Sequence, residues 1–199
     1  MVNKIAFLSI GLVLLITVAC KKSNSGGGST ANPLTGTTWN FVGLTSDANL
    51  TATEPGVASV VDITDFTTID NSGTITFTAD SMSGSGIGYT IDTSYTTITT
   101  IGTGQPDTVM TAYTTTISPT SSSTNYQLVG TDSIYFGAST PFAVSLYAGD
   151  TIKIEGAHFT VSGNTLTLTS SIDQAGTVSY GILTVPSVTV IKSKITLTK

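Results

Sequence analysis

Near the end of the chain the side chains alternate strictly, with Ile191, Ser193, Ile195 and Leu197 on one face of an extended segment and Lys192, Lys194, Thr196 and Thr198 on the other. An oily face opposite a wet one predicts a strand in an antiparallel sheet that is covered on one side only. Residues 165–172 repeat the pattern, with Leu166, Leu168 and Ile172 opposite Thr165, Thr167 and Thr169. Two stretches read as copies of one hairpin. In Tyr126-Gln-Leu128-Val-Gly130-Thr-Asp-Ser-Ile134-Tyr-Phe136 and Phe159-Thr-Val161-Ser-Gly163-Asn-Thr-Leu166-Thr-Leu168, an aromatic and an aliphatic residue alternate inward before a glycine opens a tight turn. Further strands are expected at residues 38–44, 73–79, 85–91, 96–101, 109–117, 151–154 and 178–183, and loops at 46–56, 102–107 and 118–124, which are polar and broken by proline or glycine.

Helical periodicity is scarce, so the expected class is all-β. Ten or so short antiparallel strands must protect their edges, and closure does this most completely. An up-and-down β-barrel is therefore expected, with a β-sandwich as the alternative.

The first residues follow a different logic. Lys4 supplies a positive start and residues 5–19 are uncharged and mostly apolar, a run too short for a spanning helix. It reads as a signal peptide, residues 1–19, with small Ala19 before the single cysteine of the sequence, Cys20. Thr17-Val18-Ala19-Cys20 resembles a lipobox, the recognition sequence of bacterial lipoprotein signal peptidase, with threonine in place of the usual first leucine. That resemblance implies acylation of Cys20 with palmitate-like chains and, at about 0.8 kcal/mol per buried methylene, lasting membrane attachment. Residues 20–33 then form a lipidated cysteine and flexible tether, Lys21-Lys-Ser-Asn-Ser-Gly-Gly-Gly-Ser-Thr-Ala-Asn-Pro33. Acidic residues after the cysteine resemble a surface-export signal in some Bacteroidota lipoproteins. Lys21 and Lys22 stand there instead, so the expected location is the cell envelope, lipid-anchored in the outer membrane and facing the periplasm, with surface exposure as the alternative.

Composition narrows the partners. Charged residues are 10% of the chain, there is no arginine, and threonine and serine make up about a third of the residues after Ala19. Hydroxyls must supply solubility, and threonine suits a pleated surface. The net charge of −5 becomes one more negative once Lys4 leaves, which offers phosphates no basic surface and argues against a nucleic-acid partner. With one cysteine, no intramolecular disulfide can form.

Residues 34–199 are expected to be a single domain, and its opening is informative. Leu34-Thr-Gly36-Thr-Thr-Trp39-Asn-Phe41 resembles the first strand of the lipocalin-like domains common in Bacteroidota lipoproteins, in which a glycine shortly precedes a tryptophan that closes one barrel end. The later hairpins are similar to the C-terminal half of the same domains. The spacing here is Gly-x-x-Trp instead of Gly-x-Trp. The arginine that packs on that tryptophan in many lipocalins has no counterpart, which leaves Lys192 or Lys194 to supply a cation. Trp39 reads equally as an ordinary core aromatic. The resemblance implies a binding module for a small hydrophobic ligand. The alternative is a structural or interaction module whose loops contact protein or glycan.

Hydrolytic chemistry needs a tuned base, a nucleophile or a metal. His158, the one histidine, should point to solvent opposite Phe159, and no Gly-x-Ser-x-Gly elbow is present. No enzyme activity, cofactor or metal site is expected. Asp62, Asp65 and Asp70 read as a solvated loop, without EF-hand spacing. Gly84, Gly86 and Gly88 fall on one face of a strand whose other face carries Ser85, Ile87, Tyr89 and Ile91. Facing inward they would leave ligand space, and otherwise they permit bending or close packing. Four Asp-Ser/Thr-aliphatic triplets, centred on Ser81, Thr108, Ser133 and Thr151, resemble the O-glycosylation site of Bacteroidota exported proteins, though turn-then-strand chemistry explains them equally well.

Overall fold

Alternation of inward and outward side chains runs further along each strand than the sequence suggests, and this sets the architecture. A computed structural model of the chain describes residues 32–136, 143–147, 150–180 and 183–199, without side chains for 143–153 and 179–183. The strands are β1 (Thr37–Glu54), β2 (Ala58–Thr67), β3 (Ile69–Phe77), β4 (Ser81–Ile101), β5 (Asp107–Val129), β6 (Ser133–Phe136), β7 (Ala143–Tyr147), β8 (Asp150–Lys153), β9 (Gly156–Ser162), β10 (Thr165–Tyr180) and β11 (Leu183–Thr198). No helix occurs among the described residues. Residues 1–19 and Cys20, with the expected cleavage and acylation, lie outside the described residues, as does most of the tether.

Nine strands form one antiparallel sheet, and β11 returns to pair with β1, so the sheet closes into a ring in place of two facing sheets. The ring is uneven. β2 and β3 lie end to end between β1 and β4, both antiparallel to each. Their junction is built by Thr68, whose hydroxyl accepts from the Leu44 amide at 2.9 Å and donates to Asn71 Oδ1 at 2.6 Å. Asp70 stands there at φ +52°, in the left-handed region that aspartate tolerates better than most residues. β7 and β8 pair only with each other, in a separate two-stranded sheet.

Several expected boundaries move. Residues 46–56 are not a loop: they carry β1 onward to a turn at 55–57, with Ser46, Ala48 and Ala52 facing inward. These inward side chains are small, which hides the alternation. Residues 118–124 also belong to a strand, β5, which passes through Pro119 at a shift of register with β4, where a missing amide hydrogen costs little. Residues 85–91 and 96–101 are parts of one strand, β4. Residues 178–183 contain the β10–β11 reversal, where Tyr180 pairs with Leu183, and 181–182 lie outside the described residues. The aspartates expected in a loop cluster stand on β2 (Asp62, Asp65) and on β3 (Asp70).

Both expected hairpins form, with Gly130 at φ +68° and Gly163 at φ +57° in their turns. β6 and β9 pair with each other, setting the two hairpins side by side. Their inward side chains join one continuous core of Trp39, Phe41, Phe66, Phe77, Tyr126, Phe136, Phe159 and the aliphatics between them.

Candidate functional site

One end of the ring is plugged by the chain itself. Leu34 is fully buried, and its amide bonds to Asn32 Oδ1 at 2.9 Å, while Asn32 Nδ2 donates to the Tyr126 hydroxyl at 2.9 Å. That hydroxyl in turn donates to the Thr78 carbonyl at 2.7 Å, and the Tyr126 ring meets Phe77 edge-on at 5.7 Å. Trp39 is fully buried beside this plug, and its indole N–H donates to Thr37 Oγ1 at 2.7 Å. The cation over its ring is neither Lys192 nor Lys194. It is Lys199, with Nζ 4.6 Å from the ring centroid, because Thr198 pairs with Asn40 and so brings the chain end back to β1. Lys192 and Lys194 point outward, on the face opposite Ile191, Ser193 and Ile195.

The glycines of β4 do not form one inward row. Gly84 is buried opposite Ile75, but the register shifts at Gly86, φ +63°, so that Ile87, Tyr89 and Ile91 face the core beyond it. Gly73, φ +100°, lies against Gly86, and a methyl group there would stand 2.5 Å from the Gly86 carbonyl oxygen. A methyl group on Gly88 would meet Pro119 N, Ser72 Oγ and the Ile117 carbonyl at about 3 Å. Close strand approach accounts for Gly73 and Gly88.

The opposite half of the ring is different. Register places Ser193 of β11 directly against Ser46 of β1 and Ser170 of β10, and Phe66 of β2 on the far side of Ser46. One row further on, Thr64 lies opposite Ala48. The hydroxyls of Ser46, Thr64 and Ser193 are buried and have no hydrogen-bond partner. Beyond them the inward side chains include small Ala48 and Ala52 beside Ile191, Val60 and Val185. Among the described residues the ring is joined only by short ladders beside this half. Among the described residues, β5 pairs with β6 only from Tyr126 to Val129, and β10 with β9 only from Thr165 to Thr169. Beyond these short ladders each long strand has one partner, β4 or β11.

His158 is exposed on the outer face, as alternation with Phe159 requires. Its Nδ1 lies 3.0 Å from Ser133 Oγ, and that hydroxyl donates to Asp132 Oδ1 at 3.2 Å. With its proton directed to the carboxylate, Ser133 accepts from His158 N–H, which is the wrong polarity for activating a serine nucleophile. Among the described residues no three of His, Cys, Asp and Glu gather closely enough to hold a metal ion.

The hydroxyl of Ser81 is engaged with Thr78 Oγ1 at 2.7 Å in a turn, Ser133 is bonded as above, and Thr108 is exposed near the start of β5. The side chain of Thr151 lies outside the described residues. Tyr89 packs against Phe41 at 5.9 Å, and the pKa of its phenol is pushed up by burial and then by Tyr113. Neither the buried hydroxyls nor the shortness of the ladders of β6 and β9 is evident in the sequence pattern. A signal for the first exists, serine at alternate positions within strands, but serine is equally a mark of loops.

Compared with protein families, curated proteins and solved structures, the chain matches none.

Proposed function

We propose that this chain is a membrane-anchored cell-envelope lipoprotein whose domain, from Leu34 onward, is an up-and-down, lipocalin-like barrel that binds a small hydrophobic ligand. The observation that carries the reading is the difference between the two halves of the ring. Trp39, Phe77, Tyr126 and their neighbours fill one half, and the other sets small inward side chains, Ser46, Ala48 and Ala52, and unpartnered hydroxyls among Phe66 and Ile191. Small inward side chains above a stable base are how a barrel of this size accommodates one guest. Lys199 over Trp39 adds to the likeness to lipocalins, since it puts a cation where many of them place arginine. Anchoring through Cys20 rests on the lipobox resemblance, and the periplasmic face of the outer membrane on Lys21 and Lys22. Binding in such a site is non-covalent, and no enzymatic role, cofactor or nucleic-acid partner belongs to the proposal. Organic extraction of the chain purified gently from its own host, followed by mass spectrometry, tests it. A stoichiometric small molecule is expected, and an empty extract from freshly purified protein would count against it.

A second reading, an interaction module, is favoured by one observation. At the tips of the long hairpins Ile101 is 72% exposed and Met110 71%, with Val57 and Val109 about half exposed beside them. Bulky apolar side chains so placed are what a protein partner would cover.

A further inference from the structure

We infer that the outer face of the ring carries a groove for a short peptide with both ends free, its ammonium held over β2 and β1 and its carboxylate over β11. The site is independent of the carrier reading, because it lies on the face of the sheet turned away from the core.

A closed, twisted sheet narrows at its waist, so its outer face is concave along the strands. Here the concavity forms a groove of about 940 Å³ that crosses β4, β2, β1, β11 and β10 and ends at His158 of β9. Most of its lining side chains are exposed and alternate with the inward Ser46, Phe66 and Ser193. The volume lies within the range of ligand clefts, about 300–1,000 Å³.

Register sorts the charges of this groove. In one outward row Asp65 of β2, Asp47 of β1 and Lys192 of β11 are successive cross-strand partners. In the next row Thr67, Thr45, Lys194 and Thr169 follow in the same order, with His158 beyond them. Asp92 of β4 adds a third carboxylate on the side of β2. The groove is therefore acidic over β4, β2 and β1 and basic over β11. Asp47 and Asp65 stand directly opposite each other, which is unfavourable for like charges. Among the described residues no ion pair joins the two lysines to these carboxylates. Both signs are left for a guest to neutralise.

A guest of one sign would be repelled at one end, whereas a zwitterion is attracted at both. Spacing then selects among zwitterions. Adjacent strands lie about 4.8 Å apart, so Asp65 and Lys192, separated by β1, are about 10 Å apart at the backbone. A free amino acid holds its charges too close together to bridge this, but about three residues of extended chain, at about 3.3–3.6 Å each, match it. The hydroxyls of Thr45, Thr67 and Thr169 beside the charged row both donate and accept, as peptide groups require. No exposed lining residue is a phenylalanine, tyrosine or tryptophan, so a sugar ring would find no such face to stack on.

Heteronuclear NMR titration of the full chain with trialanine, N-acetyl-trialanine, trialanine amide and free alanine tests the inference. The wild type is compared with two double variants, Lys192→Gln with Lys194→Gln and Asp47→Asn with Asp65→Asn. Trialanine is expected to shift the amides of residues 45–47, 65–67 and 192–194. It should bind about fivefold more tightly than either blocked form, the worth of one good exposed ion pair at each end, and alanine should bind least. Added salt should weaken the binding. The lysine variant should no longer distinguish trialanine from its amide but still prefer it to the N-acetyl form, and the aspartate variant should do the reverse. Because Asp47, Asp65, Lys192 and Lys194 are exposed, both variants should melt as the wild type does, and a preference lost at one end alone is not what general unfolding produces. Absence of binding, equal binding of free and blocked peptides, alanine binding as tightly as trialanine, shifts confined to other residues, or preferences unchanged in both variants would each overturn the groove as a peptide site. The carrier reading stands or falls separately, on the organic extract.

Discussion

Lys199, the last residue, places its ammonium 4.6 Å from the centroid of the Trp39 ring, near the first residues of β1, so the two ends of the described chain meet at the plugged end of the ring. The contact is one that only closure can make, since β11 must come back beside β1 for these residues to meet.

Lys199→Ala should therefore lower stability by about 0.5–1 kcal/mol, the worth of an exposed cation–π contact, and Lys199→Arg should not. For a domain of this size that is a fall of roughly 2–4 °C in Tm per kcal/mol, measurable by circular dichroism. An equal loss in both variants would show that the ammonium does not act through the ring.

Gly73 and Gly86 face each other with opposite tolerance for a side chain. Gly73→Ala combines φ +100° with a methyl group 2.5 Å from a carbonyl oxygen, whereas Gly86→Ala has φ +63° and its nearest neighbour 4.0 Å away. The second should cost about 1–2 kcal/mol, the left-handed penalty, and the first clearly more, since overpacking adds to it. Urea denaturation of both variants checks the order, and a milder effect at Gly73 would mean that the strands do not approach this closely.

Thr68→Val keeps the shape of the side chain but removes the acceptor of the Leu44 amide. A buried amide left unbonded costs about 1–3 kcal/mol, and hydrogen exchange at Leu44 should quicken in step. Unchanged protection there would place the β2–β3 junction elsewhere.

Tyr89 gives a pH dependence of known sign. Because burial and Tyr113 raise its pKa in the folded chain, the folded state holds the phenolic proton more tightly than the unfolded state does. Its contribution is fully present below the ordinary tyrosine value of about 10 and is lost as pH rises above that value through the folded pKa. Phenolate absorbance should lag for one tyrosine in the folded protein, and Tyr89→Phe should remove the lag. A lag that survives the substitution would assign the buried phenol to another residue.

Trp39, the one tryptophan of the sequence, should emit as a buried indole. Trp39→Ala should cost about 3–5 kcal/mol as an unfilled core position beside Leu34 and Phe77. Red emission from native protein would show that the plugged end is open.

Strands with bulky inward residues are legible in the sequence: alternation at 191–197 and 165–172 and the two glycine hairpins stand where the pattern puts them. Positions with small inward residues are not. Ser46, Ala48 and Ala52 carry no hydrophobic signal, so half of β1 has the pattern of a loop, and β2, with Asp62 and Asp65 among its residues, has no clear signature at all. The same blindness hides the candidate site, because a buried serine looks in sequence like a solvated one.

The sequence by itself determined that the described chain would be strand-rich, antiparallel and poor in charged residues, because side-chain alternation and composition are local properties. Register was decided only by the tertiary structure. Whether Ser193 meets Ser46, whether Gly73 touches Gly86, and which lysine covers Trp39 depend on how far strands distant in sequence slide past one another before the ring closes. That offset is set by the packing of the whole core and by the bulges at Val42 and Gly86, which no window along the chain contains.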